Sequence, residues 1–204
     1  MTKYLKGAID AVTATSVFEY LRDNIEWVAG VRSRQGFTRL AKSLDPGEDE
    51  LVDEIILEAY RKLSSNPAVV IFGIYLNYYK DGTHFTPKHR HPGMTQIVVS
   101  LGATRTLTMG STSYTMSNGD AIMFGSDLHG VPKAPGLQQG RISIAAFTRP
   151  ITMARLLEVY PHLALTEGAE QESEPQRPAE AATPSPPPPP QRKFKVTFKP
   201  KPKP

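Results

Sequence analysis

The chain has 204 residues, 39% hydrophobic and 22% charged, which suffices for one domain with a core and not for two large ones. It contains no cysteine, so disulfide frameworks, cysteine-ligated zinc, iron–sulfur clusters and thiol nucleophiles are excluded. The net charge of +4 and the pI of about 9.2 do not by themselves point to nucleic acid, because residues 167–204 hold seven Lys/Arg and five Glu and leave the rest close to neutral.

The elements, in chain order, change period once. Ser16 and Glu19 form a capping box for a short amphipathic helix running through Leu21. Asp45-Pro46-Gly47-Glu48 then opens a second helix, with Asp45 as cap and Pro46 in the first helical position. Its apolar stripe is Leu51, Val52, Ile55, Ile56, Ala59 and Leu63. From residue 68 the pattern is that of short β-branched strands at 68–79, 95–101, 104–109, 113–116, 121–124 and 141–147, separated by Gly, Asn-Gly or Pro. Helices first and strands after predict an α+β domain whose strand half closes as a barrel or jelly roll.

Four regions are expected: a helical or lid region at 1–66 packed on a barrel, the barrel itself at 67–150, a packed segment at 151–166, and a disordered tail at 167–204. Eleven of nineteen prolines lie beyond residue 174, and 184–190 reads as polyproline II. The end of the tail, from Arg192 to Lys203, alternates basic and apolar residues before a Lys-Pro repeat; it is either a phosphate-seeking arm or a solubilising tail, and the proline run suggests a polyproline-binding partner. No apolar run reaches the ~18 residues of a membrane span, and the first residues lack the apolar core of a signal peptide. A soluble intracellular protein, cytoplasmic or nuclear, is expected, with no membrane.

Three residue groups carry chemistry. His89 and His91 leave one face of an extended segment, and His129 returns on a later strand, the arrangement by which a barrel builds a metal site near its mouth. Arg141 and Ser143 share one face of the last strand, opposite Ile142, Ile144 and Ala146. Either this is an edge strand with Arg141 in solvent, or a buried guanidinium requires an anion, which a carboxylate supplies. Asn77 and Tyr79 share a face before the Asp81-Gly82 turn, and read either as turn chemistry or as an amide and a phenol beside the same cavity.

The ordered series Asn77-x-Tyr79-x-x-Gly82, His89-x-x beginning seven residues after that glycine, 100–105 (Ser-Leu-Gly-Ala-Thr-Arg), Gly119-Asp120, His129-Gly130-Val131-Pro132 and Arg141-x-Ser143 resembles the AlkB family of Fe(II)/2-oxoglutarate dioxygenases over about residues 68–149. The resemblance implies a double-stranded β-helix (jelly roll, cupin-like) with N-terminal helices, and an enzyme using Fe(II), 2-oxoglutarate and O2. It implies oxidative removal of N-methyl groups from DNA or RNA bases, as in DNA repair, with the hydroxymethyl adduct breaking down to formaldehyde. It also implies that His89 and His129 hold iron, that Arg141 with Ser143 grips the distal carboxylate of 2-oxoglutarate, and that Asn77 and Tyr79 hydrogen-bond the same cosubstrate.

Two positions depart from that pattern. His91 stands where the family has aspartate, leaving the site one charge more positive; His89, His91 and His129 are then the expected metal ligands, with the Asp127 carboxylate as a substitute. Phe147 stands where the family's second arginine falls, and Arg149, eight residues after Arg141, is about 26 Å from it along an extended strand. The expected lid over a base is 27–39, where Trp27, Arg32, Arg34 and Phe37 suit phosphates and stacking, or else Trp27 anchors a core and the arginines are solvated. Two rival functions are a 2-oxoglutarate-dependent hydroxylase or demethylase of a protein or small molecule, and a catalytically impaired jelly-roll binding module.

Overall fold

The computed structural model describes residues 2–29, 32–33, 36–66, 68–150, 152 and 154. The expectations for the tail at 167–204, and for 151–166 apart from residues 152 and 154, lie outside the described residues. In chain order the elements are β1 (Lys3–Leu5), α1 (Ala11–Asn24), β2 (Val28–Ala29), β3 (Arg32–Ser33), β4 (Gly36–Phe37), β5 (Leu40–Leu44), α2 (Glu50–Leu63), β6 (Val69–Tyr79), β7 (Thr86–His89), β8 (Thr95–Gly102), β9 (Arg105–Met109), β10 (Thr112–Met116), β11 (Ala121–Phe124), β12 (His129–Val131) and β13 (Arg141–Pro150).

Seven strands form a major sheet in the order β1-β11-β8-β13-β6-β5-β2, and four form a minor sheet in the order β10-β9-β12-β7. A two-stranded ribbon, β3-β4, stands apart. The alternating side chains of the major sheet feed two cores. Ile74 and Leu76 of β6, Ile97, Val99 and Leu101 of β8, and Ile142, Ile144 and Ala146 of β13 face α1 and α2. Tyr79, Val98, Leu107, Met109, Met116, Phe124 and Val131 meet between the sheets. Among the described residues no helix is long and apolar enough to cross a membrane.

Both helices begin at a different cap from the one the sequence suggests. Asp10 caps α1 by accepting from the backbone N–H groups of Val12 and Thr13, each at 3.0 Å, and Ser16 lies inside the helix. Asp49 caps α2 by accepting from Val52 N. Asp45 instead opens a turn closed by Glu48 N donating to its carbonyl at 3.0 Å. Gly47 there has φ +88, which a continuing helix does not permit, and Pro46-Gly47 is the central pair of a type II turn. The stripe itself is as expected: Val52, Ile55, Ile56, Ala59 and Leu63 are buried, joined by Tyr60.

Asp120 ties the first strand to the barrel. Its carboxylate, 4% exposed, accepts from Tyr4 Oη at 2.7 Å, Gly7 N at 2.9 Å and Ser117 N at 2.8 Å. Burial and that carboxylate push the Tyr4 phenol up to about 12. Gly119 precedes it at φ +84, where a Cβ would stand 2.2 Å from the Ile9 carbonyl oxygen, so only glycine allows α1's leading loop to close on this turn.

Candidate metal and anion site

The open end between the two sheets holds a cavity of about 780 Å³. β12 lies between β7 and β9 in the minor sheet, so His129 is the register partner of both His89 and Met109. A bulge between His129 and Val131 re-aims the chain there. His91 lies just beyond the end of β7, and its ring centroid is 4.9 Å from that of His89. The ligand atoms of His89, His91 and His129 all lie within 4.8 Å of one another. Such spacing suits one metal ion held by three imidazoles.

The imidazoles are set for that role by their backbone. His89 Nδ1 faces the Pro87 carbonyl at 2.9 Å, and His129 Nδ1 faces the Asp127 carbonyl at 2.8 Å. A carbonyl only accepts, so Nδ1 carries the proton and Nε2 keeps its lone pair. Burial pushes His91 below its ordinary value, helped by His89. Burial also pushes His129 down to about 4, with His89 and His91 acting in the same direction and the Asp127 carbonyl against it. Both are therefore neutral donors near pH 7. Asp127 does not supply the missing carboxylate: its side chain is exposed and outside the ligand group, and it contributes its carbonyl instead.

Arg141 stands on the opposite wall, 1% exposed. Its Nε donates to Ser100 Oγ at 2.8 Å, its guanidinium lies 5.3 Å from the Tyr79 ring centroid, and Nη1 has no partner among the described residues. Burial lowers its pKa. A buried cation with an unused donor facing a cavity is a receptor for an anion. The edge-strand alternative, with Arg141 in solvent, is excluded.

Asn77 and Ser143 are register partners, as are Tyr79 and Arg141, so all four expected cosubstrate residues meet on β6 and β13. Their bonds differ from the expectation. Ser143 touches Asn77 Nδ2 at 3.5 Å rather than Arg141, and Asn77 Oδ1 is taken by Arg39 Nε at 2.6 Å. The Tyr79 hydroxyl pairs with Thr86 Oγ1 at 2.7 Å. Sequence reasoning gave Ser100 and Thr86 no bonding role here, and set Arg39 in the expected lid at 27–39 rather than on Asn77. Ser100 is the register partner of Ser143 on β8, which only the strand pairing reveals.

A second buried arginine holds the loops around the site. Arg105, 2% exposed, donates to the carbonyls of Asp81 (3.1 Å), His84 (2.8 Å) and Pro132 (2.7 Å), and its guanidinium lies 5.4 Å from the Tyr79 ring centroid. Gly82 N donates to Leu137 O and Ala134 N to Gly82 O, both at 2.8 Å. A Cβ at Gly82 would stand 1.8 Å from the Ala134 oxygen.

The remaining candidates lie elsewhere. Trp27 packs on Tyr78 at a centroid distance of 5.2 Å against the helix-side core, not at the cavity, which favours its reading as a core anchor. Arg34 lies outside the described residues, and Arg32 and Phe37 are described only as backbone of β3 and β4. Arg149 is exposed, with its guanidinium 6.0 Å from the Phe72 ring centroid. Phe147, in the position of the family's second arginine, packs edge-on against His91 at 4.9 Å.

No protein-family model matches the chain, and no curated protein matches it. Solved structures do. A prolyl-4-hydroxylase from Pseudomonas putida is 15% identical, with a TM-score of 0.51 over 74% of this chain and 93% of that one. A 2OG-Fe(II) oxygenase-family oxidoreductase from Burkholderia pseudomallei is 15% identical, with a TM-score of 0.54 over 74% of this chain and 86% of that one. HygX from Streptomyces hygroscopicus, with nickel and 2-oxoglutarate bound, is 11% identical, with a TM-score of 0.54 over 74% of this chain and 83% of that one. At such identities the likeness establishes the architecture alone: among the described residues, α1 and α2 packed on a double-stranded β-helix, or jelly roll.

Proposed function

We propose that this protein is an Fe(II)- and 2-oxoglutarate-dependent oxygenase. The observation that carries the reading is the sharing of one cavity by three convergent imidazoles and a buried arginine with an unused Nη1 donor. The residues fit both groups. Three neutral imidazoles suit ferrous ion and leave its two charges uncompensated, while Arg141 adds a third; a dianionic keto acid reaching from metal to guanidinium offsets most of that charge. When bound, iron and 2-oxoglutarate supply the activation of O2 needed to oxidise a C–H bond.

The chain's own residues bind and orient. The Pro87 and Asp127 carbonyls fix the ring orientation of His89 and His129. Ser100 holds the Arg141 fork, and Tyr79 shields its face from water. Asn77, held by Arg39, presents its amide from the same wall. The fold relatives, among them HygX with nickel and 2-oxoglutarate bound, support the same reading.

Within this class, the order of motifs supports oxidative N-demethylation of DNA or RNA bases as the finer reading, with alkylated nucleic acid as partner. Anaerobic addition of 2-oxoglutarate to the Fe(II)-loaded full chain tests the class: a metal-to-ligand charge-transfer band is expected, followed by succinate on admitting O2. Absence of both overturns the oxygenase reading and leaves a binding module. Formaldehyde released from methylated oligonucleotides in step with succinate supports the finer reading; succinate without it assigns the activity to a protein or small molecule.

A further inference from the structure

Strand β8 carries two polar side chains on its cavity face, one at each end. Ser100 is committed to Arg141 Nε. Gln96, 2% exposed, is not: its Nε2 has no partner among the described residues. Its register partners on the flanking strands are Phe124 and Phe147, and it lines the cavity. An amide nitrogen left without a partner among aromatic rings carries an uncompensated desolvation cost that Leu or Met at the same position would avoid. Its neighbour Val98, on the same face, shows that apolar residues are accommodated there.

The wall around Gln96 is aromatic. Phe147 touches His91 edge-on at 4.9 Å, Phe72 stacks on Phe147 at 6.1 Å, and Tyr75 meets Phe147 at 5.5 Å. The bulge that pairs Phe147 with Gly73 and Thr148 with Ile71 leaves Phe72 as the extra residue. Phe72, Tyr75 and Met94 are 43%, 46% and 37% exposed at this one mouth. Charge separates the two ends of the cavity. Among the described residues the lining holds no Asp or Glu, so a cation finds no counter-charge. Its two arginines, Arg39 and Arg141, lie at the Asn77–Ser143 end, where an anion is drawn.

We infer that Gln96 selects the substrate: the moiety brought beside the histidines is an uncharged aromatic ring bearing a carbonyl that accepts from the Gln96 side-chain amide. This rests on the oxygenase reading, since it places the substrate on the Phe147 side of His91 and the cosubstrate on the Arg141 side. Satisfying a buried amide discriminates strongly, because a ligand without the acceptor leaves the donor unpaired.

The test uses the full chain loaded with Zn(II) and 2-oxoglutarate, and three probes followed by saturation-transfer NMR: N-methylbenzamide, ethylbenzene and the cationic N-methylbenzylamine. N-methylbenzamide is expected to bind roughly ten-fold tighter than ethylbenzene, and the amine not at all. Gln96→Leu is expected to abolish the preference while metal and 2-oxoglutarate affinities stay within about two-fold of wild type. Gln96→Glu, which keeps the shape and cannot donate when ionised, is expected to weaken the benzamide alone. Persistence of the preference in Gln96→Leu, its absence in wild type, or a parallel loss of 2-oxoglutarate affinity overturns the inference. Failure of the wild-type chain to bind metal and 2-oxoglutarate overturns the oxygenase reading with it, so the two failures are distinct.

Discussion

Arg141 and Tyr79 are register partners on adjacent strands, and the guanidinium lies over the phenol ring at 5.3 Å, with Arg105 placed 5.4 Å from the same ring. Two buried cations thus lean on one aromatic side chain, whose negative face adds to the three carbonyls that hold Arg105 and the Ser100 hydroxyl that holds Arg141.

That arrangement separates ring from hydroxyl. Tyr79→Leu is expected to weaken 2-oxoglutarate binding about ten-fold and to destabilise the fold by roughly 3 kcal/mol, through lost packing and lost cation–π contact. Tyr79→Phe removes the hydroxyl, with its bond to Thr86 and its support of the Arg141 guanidinium, and is expected to cost about 1 kcal/mol, with 2-oxoglutarate affinity within about three-fold of wild type. Urea unfolding and cosubstrate titration read the two effects. A large loss of affinity in Tyr79→Phe would instead assign the hydroxyl directly to the cosubstrate.

Arg141→Met is expected to reduce 2-oxoglutarate affinity at least ~100-fold and to leave metal affinity within a few-fold, since truncating a buried charge partner costs about 2–5 kcal/mol. Without cosubstrate, the variant is expected to be as stable as wild type or more so, because the bare guanidinium is a desolvated charge. Thermal denaturation with and without 2-oxoglutarate checks both parts: the ligand raises the midpoint of wild type and not of the variant.

Removal of His89, His91 or His129 by alanine is expected to abolish metal binding at micromolar Fe(II) or Zn(II), read by dialysis and metal analysis, because each supplies one of three donors and two remain. His91→Asp retains a donor and adds a negative charge, so it is expected to bind metal at least as tightly as wild type.

His129 makes the metal-free fold acid-sensitive. His129 is held neutral in the folded state, down to about 4 from an unfolded value of 6.5. The unfolded chain therefore binds more protons between those limits. Stability is fully present above pH 6.5 and is lost as pH falls toward 4, amounting to about 2 kcal/mol by pH 5 for this one group. The thermal midpoint of the metal-free protein is expected to drop by several degrees from pH 7 to pH 5, and His129→Gln to flatten that slope.

Far from the site, Asp120→Ala is expected to cost roughly 3 kcal/mol, because Tyr4 Oη and two backbone N–H groups lose a charged acceptor in a buried position. Metal and cosubstrate affinities at a temperature where the variant is folded are expected to be unchanged.

Much of this was visible in the sequence, and the rest was hidden for identifiable reasons. The strand at Ala121–Phe124 has the predicted bounds, and the periodicity that separated Arg141 and Ser143 from Ile142 and Ile144 matches the two cores. Helix starts were displaced because Ser16, Asp45, Asp10 and Asp49 all carry capping chemistry, and only tertiary position decides among them. Strand β5, with Leu40, Ala41, Lys42, Ser43 and Leu44, lacks β-branched residues and exists because β6 offers it an edge. β7 and β12 are too short to show a period, yet they bring His89 and His129 opposite each other. The partnership of Arg141 with Ser100 depends on the β8–β13 register, which no local pattern encodes.

The carbonyls gathered by Arg105 belong to two separate stretches of chain. One, through Asp81 and His84, leads into the strand ending at His89; the other, through Pro132, leaves the strand of His129 and continues toward Arg141. A change at Arg105 therefore reaches both the ion-holding corner and the acid-holding corner through the loops it ties together, and the Gly82 contacts with Ala134 and Leu137 couple the same two stretches.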